Sequence, residues 1–333
     1  MIIINKAILH ILDFNSGVTV FSDKELSIEN SVETFLLKHI EKSYQDPGLK
    51  LGQFYEDSIF KKLLKKYLTD SAYSFVEFSR VIAETMYANI AKSDKLESAD
   101  LLIADIKIDD ERMIALFKCN NKIGFIHQVT QTSDGIKNEI INHYAIMPNL
   151  SQKIDEYAFI NPALETIRFM DKRYSIDGEE VFVLPECILE CAYTASPKTA
   201  IQQVTTIAKK VAENHGQSAL AAVTTAKSFL AENVQHSEYL QPTEIAKEIF
   251  KDSPQMQAEY LTEIQSAKVA DTIKVEPDFV LKKTKVHKIK TDTGIELSIP
   301  LDYFQNTDYV EFINNADGTL SINLKKILNV MNK

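Results

Sequence analysis

Apolar and β-branched residues run from Ile2 to Leu12, break at Asn15-Ser16-Gly17 and resume over Val18-Thr19-Val20-Phe21, a pattern that predicts strand, turn and strand. The period then changes. Val32, Phe35, Leu36, His39 and Ile40 recur at three- and four-residue steps and predict an amphipathic helix over 32–43, capped by Ser31 or Asn30. In a second predicted helix, Ile59, Phe60, Leu63, Leu64, Tyr67 and Leu68 form one stripe, and Lys61, Lys62, Lys65 and Lys66 occupy the other face. A third, from about Ser74 to Ala91, carries Phe75, Phe78, Ile82 and Met86 in the same way.

Beyond Ser93–Ser98 the runs read as strands. Leu101–Ile108, Met113–Cys119 and Ile123–Val129 are separated by Asp109-Asp110-Glu111-Arg112 and Asn120-Asn121-Lys122, the pattern of successive antiparallel strands joined by short turns. Glu139–Ile146, Glu156–Ile160, Thr166–Met170 and Val181–Leu184 are further strand-like pieces, with Asp177-Gly178 as a turn. From Ser196-Pro197 helical spacing returns: Ile201, Val204, Ala208 and Val211, then Leu220, Val223, Ala226 and Leu230, with Pro242 and Pro254 at the starts of two more helices. Past Pro277, Ile295, Leu297 and Ile299 alternate with polar residues, as do Leu320, Ile322 and Leu324. Turns at 292–294 and 314–318 complete a predicted small meander, closed by a short helix from Lys325. The fold class expected is α+β, in three parts: a mixed strand-and-helix domain over 1–195, a helical segment over 196–272, and a small β-rich unit with a basic run over 273–333.

Charge sharpens this division. The 333 residues hold 37 Lys plus Arg against 47 Asp plus Glu, a net charge of −10. That balance opposes binding of nucleic acid or anionic membrane over the whole surface. Residues 273–333 nevertheless hold nine basic and eight acidic residues, a balance of +1, which leaves −11 in the first 272. Lys282, Lys283, Lys285, Lys288 and Lys290 fall within nine residues, with His287 among them and no intervening acid. Such a run can dock phosphates by displacing condensed counterions, without reading bases. Lysines also guard exposed strand edges against aggregation. The lysines at 61, 62, 65 and 66 fit the solvated face of their helix, with no aromatic residue interleaved for base stacking.

Three cysteines, Cys119, Cys187 and Cys191, give no even disulfide framework and favour a reducing compartment. The amino terminus lacks a basic segment followed by a long apolar stretch, and no 18-residue apolar run occurs, so neither an export signal nor a membrane span is expected. Cys187 and Cys191 would share a helix face if Pro185-Glu186-Cys187 opened a helix, but two thiols do not complete a tetrahedral metal site. Both read as small packed hydrophobes, and His39 reads as a packed histidine on its apolar stripe. His127, His143 and His215 have no acid-and-nucleophile context. Phosphate-loop, dinucleotide-loop and serine-elbow motifs are absent. A metal-dependent nuclease could be assembled from Asp278 and Glu296, or from Asp105 and Lys107, but neither set brings the partners that such chemistry needs. No catalytic residue, metal or cofactor is assigned, and the chain reads as a non-enzyme.

Three sets of segments resemble the bacterial nucleoid-associated proteins of about this length, in a version like that of Gram-positive bacteria. They are the opening strand Ile2-Ile3-Ile4-Asn5-Lys6-Ala7-Ile8-Leu9-His10, the helix segment Ser74-Phe75-Val76-Glu77-Phe78-Ser79, and the terminal Asp308-Tyr309-Val310-Glu311-Phe312-Ile313 with Asp317-Gly318-Thr319-Leu320-Ser321-Ile322. The resemblance implies a cytoplasmic protein of the nucleoid that binds DNA with little sequence preference and has no catalytic residues to carry over. Where proteobacterial members have a Gly- and Arg-containing stretch after the mid-chain strand, this sequence reads Arg168-Phe169-Met170-Asp171-Lys172-Arg173-Tyr174-Ser175-Ile176-Asp177, which keeps Arg168, Lys172 and Arg173 but loses the glycines and adds two acids. The phosphate-contact candidates are therefore Lys282, Lys283, Lys285, Lys288 and Lys290 first, then Arg168, Lys172 and Arg173. The expected partner is DNA. The competing reading is a module whose helical segment docks a DNA-processing protein, and a homodimer would double a weak basic patch.

Overall fold

The computed structural model describes residues 1–14, 19–275, 277–304 and 306–329. Two compact units divide it, Met1–Thr194 and Ala195–Lys333. The first contains, in chain order, β1 (Ile2–Leu12), α1 (Asn30–Tyr44), β2 (Lys50–Phe54), α2 (Ile59–Thr69), α3 (Phe75–Ile90), β3 (Ala99–Ile108), β4 (Glu111–Asn120), β5 (Lys122–Thr132), β6 (Gly135–Ile146), β7 (Glu156–Asn161), β8 (Thr166–Met170), β9 (Arg173–Ile176), β10 (Glu179–Phe182), a π-helical turn (Val183–Ile188) and β11 (Cys191–Thr194). The second contains α4 (Pro197–Asn214), α5 (Ala219–Asn233), β12 (Tyr239–Leu240), α6 (Pro242–Ile249), α7 (Pro254–Ser266), β13 (Ile273–Lys274), α8 (Pro277–Thr284), β14 (Val286–Lys290), β15 (Glu296–Pro300), α9 (Leu301–Phe304), β16 (Val310–Asn314) and β17 (Leu320–Leu324).

An antiparallel sheet in the order β1-β3-β4-β7-β8-β2-β11 organises the first unit. One face packs Ile8, Leu101, Ile103, Ile114, Leu116 and Phe169 against Phe60, Phe78, Ile82 and Met86 of α2 and α3. The other packs Leu102, Ala104, Ile106, Phe117 and Phe159 against Leu36 and Ile40 of α1. Cover on both faces explains why β3 is a continuous apolar run rather than an alternating one. Ser74 caps α3 in a reciprocal capping box with Glu77, the arrangement that Ser-x-x-Glu favours. His39 is packed as expected, 1% exposed and tilted against Phe35.

Several local expectations are corrected. Residues 15–18 lie outside the described residues, and of the rest of the predicted second strand only Val20 pairs, in an isolated bridge to Ile11. The residue flanking α1 is Glu29, whose side chain makes no capping bond. The third apolar run does not continue the sheet. β4 takes β7 as its second neighbour, and β5 instead pairs with β6 in a separate ribbon. Cys187 sits in the π-helical turn and Cys191 in β11, so they share no helix face. Near the carboxy terminus β14-β15 and β16-β17 are two separate hairpins rather than one meander, and Lys325–Leu328 are not helical.

In the second unit α4, α5, α6 and α7 enclose Ala200, Val204, Val211, Leu230, Ile245 and Tyr260. Prolines open α6 and α7 in their first turns, where a missing N–H costs nothing. Among the described residues, no helix is long and apolar enough to cross a membrane.

Candidate nucleic-acid interface

Two elements share the five-lysine run, where the sequence suggested a single approach to a strand. Pro277 opens α8, and Val280 and Thr284 are its buried anchors. Thr284 Oγ1 donates to the Val280 carbonyl at 3.0 Å. Lys282 and Lys283 fall in the last turn, where cations complement the helix dipole. Lys285 follows the helix, and its carbonyl accepts from Leu301 N–H at 2.9 Å. β14 then pairs with β15, Lys288 opposite Ser298 and Lys290 opposite Glu296. Strand alternation turns His287 inward and Lys288 and Lys290 outward.

All five lysines are exposed. Among the described residues only Lys290 has an ion pair, with Glu296 at 3.0 Å. Lys282, Lys285 and Lys288 have no such partner among the described residues, and Lys283 lies 6.0 Å from the centre of the Phe279 ring. His287 adds none: it is buried, stacked 4.2 Å from Phe304, and its Nε2 lies 3.1 Å from Thr224 Oγ1. Burial, reinforced by the neighbouring Lys227, holds its pKa down to about 4. At neutral pH it is an uncharged peg that fixes β14 to α5.

Folding adds two cations that no local spacing announced. Lys198 in the first turn of α4 and Lys227 of α5 meet Lys283 of α8 around a cavity of about 180 Å³. Ile201, Leu230 and Phe279 give it an apolar lining, and among the described residues no carboxylate lines it. Lys198 stands at the positive end of the α4 dipole, and no acidic residue occupies that first turn. Half-buried Lys227 donates to the Val286 carbonyl at 3.4 Å, and burial lowers its pKa. The three lysines thus bring positive charge to one cavity, where an anion would find complementary potential.

In the first unit the candidate cations are engaged differently. Arg168 donates to the Tyr44 carbonyl at 3.1 Å and lies 4.6 Å from the centre of its ring. Lys172 donates to Glu97 at 2.7 Å and stands 3.6 Å from Glu156. Hydrogen bonds from Lys172 and Lys95 hold the Glu97 carboxyl down to about 2. Glu156 is itself buried against Lys118 at 3.0 Å and accepts from Asn120 and Tyr174. Lys172 is thus tied into a half-buried network of carboxylates. Arg173, in β9, is exposed, with its guanidinium 5.4 Å from the Phe182 ring. On α2, Lys61 pairs with Glu165 at 2.7 Å, Lys62 donates to the Asp57 carbonyl, and Lys66 lies 4.2 Å from the Tyr73 ring centre.

Three of the four residues in the nuclease sets stand in ion pairs or hydrogen bonds. Asp105 is buried and accepts from Arg112 at 2.5 Å and from Tyr67 at 2.7 Å. Lys107 lies 3.3 Å from Asp110, and Glu296 pairs with Lys290. Among the described residues no three metal-ligating side chains converge.

Two comparisons bear on these surfaces. The family model described as nucleoid-associated protein YejK matches residues 8–332. No curated protein matches the chain.

Proposed function

Since the chain belongs to the nucleoid-associated protein YejK family, we propose that it binds DNA directly and with little sequence preference, through the basic surface of α8 and β14 joined by Lys198 and Lys227. The observation that carries this reading is the set of exposed lysines at 282, 283, 285 and 288, which have no ion pair among the described residues, beside a cavity rimmed by lysines and lined by no carboxylate of the described residues. Lysines placed in this way neutralise phosphates as point charges, and nothing in their surroundings supplies the planar, bidentate donors that read guanine edges. Affinity would come from counterion release, and the acidic remainder would confine contact to this surface. Arg168, Lys172 and Arg173 are secondary, because two of the three already serve internal partners. Family membership implies a place in the nucleoid and hence the cytoplasm. No catalytic step is part of the proposal.

Fluorescence anisotropy with two duplexes of unrelated sequence, at low and at physiological salt, tests it. Binding to both at low salt, weakening steeply as salt rises, is the expected result. Absence of binding at low salt would favour the partner-docking alternative. For that alternative the helical segment would have to offer Leu220 and Val223, which are half-buried, since Ile201, Val204, Ala208, Val211, Ala226 and Leu230 are buried.

A further inference from the structure

The ribbon of β5 and β6 is amphipathic in a direction that the rest of the fold does not use. Its strands pair only with each other, from Lys122 opposite Ile146 to Thr132 opposite Gly135, and no residue from 121 to 143 is buried. Directly opposed residues share a face, so Phe125 goes with Asn142, His127 with Ile140, Val129 with Asn138 and Gln131 with Ile136. That face, with Ile123 at its root, carries five large apolar side chains that are between 61% and 79% exposed. It carries no Lys, Arg, Asp or Glu. The charges lie on the opposite face, where Lys137 and Glu139 pair at 2.6 Å. An isolated two-stranded ribbon is marginal in water, and an uncovered apolar strip of this length marks an interaction surface.

We propose that this face is covered by the same face of a second copy of the chain, the two ribbons lying antiparallel along each other about a two-fold axis. Three features select that occupant. A face without charge meets its own copy without like-charge repulsion, whereas a nucleic-acid backbone would need cations there. The apolar groups run the whole length, with Ile123 and Phe125 at the root, Val129 and Ile140 in the middle and Ile136 near the tip. A two-fold axis through the middle therefore sets the root of one copy on the tip of the other, as an isologous interface requires. Each of the five side chains leaves more than half of its surface open, so a face-to-face pairing has apolar area to bury toward the ~800 Å² per partner of a standard interface.

Light scattering coupled to size exclusion, on the full chain without DNA at tens of micromolar, should return the mass of two chains. F125K with I140K places charge at the root and middle of the face, outside any folded core, and should return the mass of one chain with an unchanged far-ultraviolet circular dichroism spectrum. E139Q, on the opposite face, should leave the dimer intact. His127→Cys sits by the axis and should give a cross-linked two-chain band with a short bismaleimide, which the wild-type chain does not give. A one-chain mass for the wild type overturns the proposal. So does a dimer that survives F125K with I140K, or one that E139Q abolishes.

Discussion

Replacing Lys282, Lys283, Lys285 and Lys288 with Gln together is the sharpest perturbation of the DNA surface, because ion pairing separates these four from Lys290. Each phosphate contact contributes about 0.9 to the slope of log K against log salt on B-DNA. If each of the four contacts one phosphate, the quadruple variant flattens the slope by up to ~3.6. Between 50 and 200 mM salt, that shrinks the salt-induced loss of affinity by roughly two orders of magnitude. K290Q is the internal control. Glu296 already neutralises Lys290, so its removal releases little counterion, and its slope change should fall well below that of K288Q. Anisotropy titrations of one duplex at four salt concentrations give all the slopes. An unchanged slope in the quadruple variant, or equal effects of K288Q and K290Q, would refute the assignment of phosphate contacts to this surface.

Other predictions concern how the fold holds its buried polar groups and close packing. Glu156→Gln leaves Lys118 buried without its counter-charge and should destabilise the first unit by ~3–5 kcal/mol; a shift below ~1 kcal/mol in urea unfolding, followed by circular dichroism because the chain has no Trp, would contradict this. Ser74→Ala removes one side of the capping box of α3 and should cost about 1 kcal/mol in the same assay. At Gly52, in β2 between β8 and β11, an added Cβ would stand 3.1 Å from Cys191 Sγ and 3.2 Å from Ile167 Cβ, so Gly52→Ala should cost ~1–3 kcal/mol through overpacking. His10 is buried with Nδ1 accepting from Ser22 N–H and Nε2 against Ser79, and burial, aided by Arg80, holds its pKa down to about 4. The unfolded chain binds that proton near 6.5, so the stability that His10 contributes is complete above 6.5 and declines as pH falls from there toward 4, by at most ~1.4 kcal/mol per pH unit. The loss between pH 7 and 5 should therefore be smaller in His10→Gln than in the wild type, and an equal loss would count against the assignment.

Elements with strong internal periodicity were legible one by one. The stripe of α2, the Ser74-x-x-Glu77 start of α3 and the prolines of α6 and α7 are local physics, and each stands where the pattern puts it. Partners across long separations were not legible. Ile123–Val129 reads as a successive strand of the same sheet as Leu101–Ile108, yet it joins no sheet beyond its own hairpin, and Leu101–Ile108 is the buried neighbour of β1 and β4. The alternation of β5 against the unbroken run of β3 hints at unequal cover, but which strand each one pairs with is set by contacts far apart in sequence.

The same divide runs through the site. Composition and spacing alone determined that the chain is acidic with a near-neutral carboxy-terminal part, and that five lysines crowd into residues 282–290, because charge and sequence distance need no fold to be counted. Only the tertiary structure decided which of those charges are free. It spends Lys290 on Glu296 and Lys172 on Glu97, silences His287 by burial, and carries Lys198 and Lys227 from distant helices to the side of Lys283. A Coulomb interaction depends on separation in space and on the water between the charges, and both are set by packing.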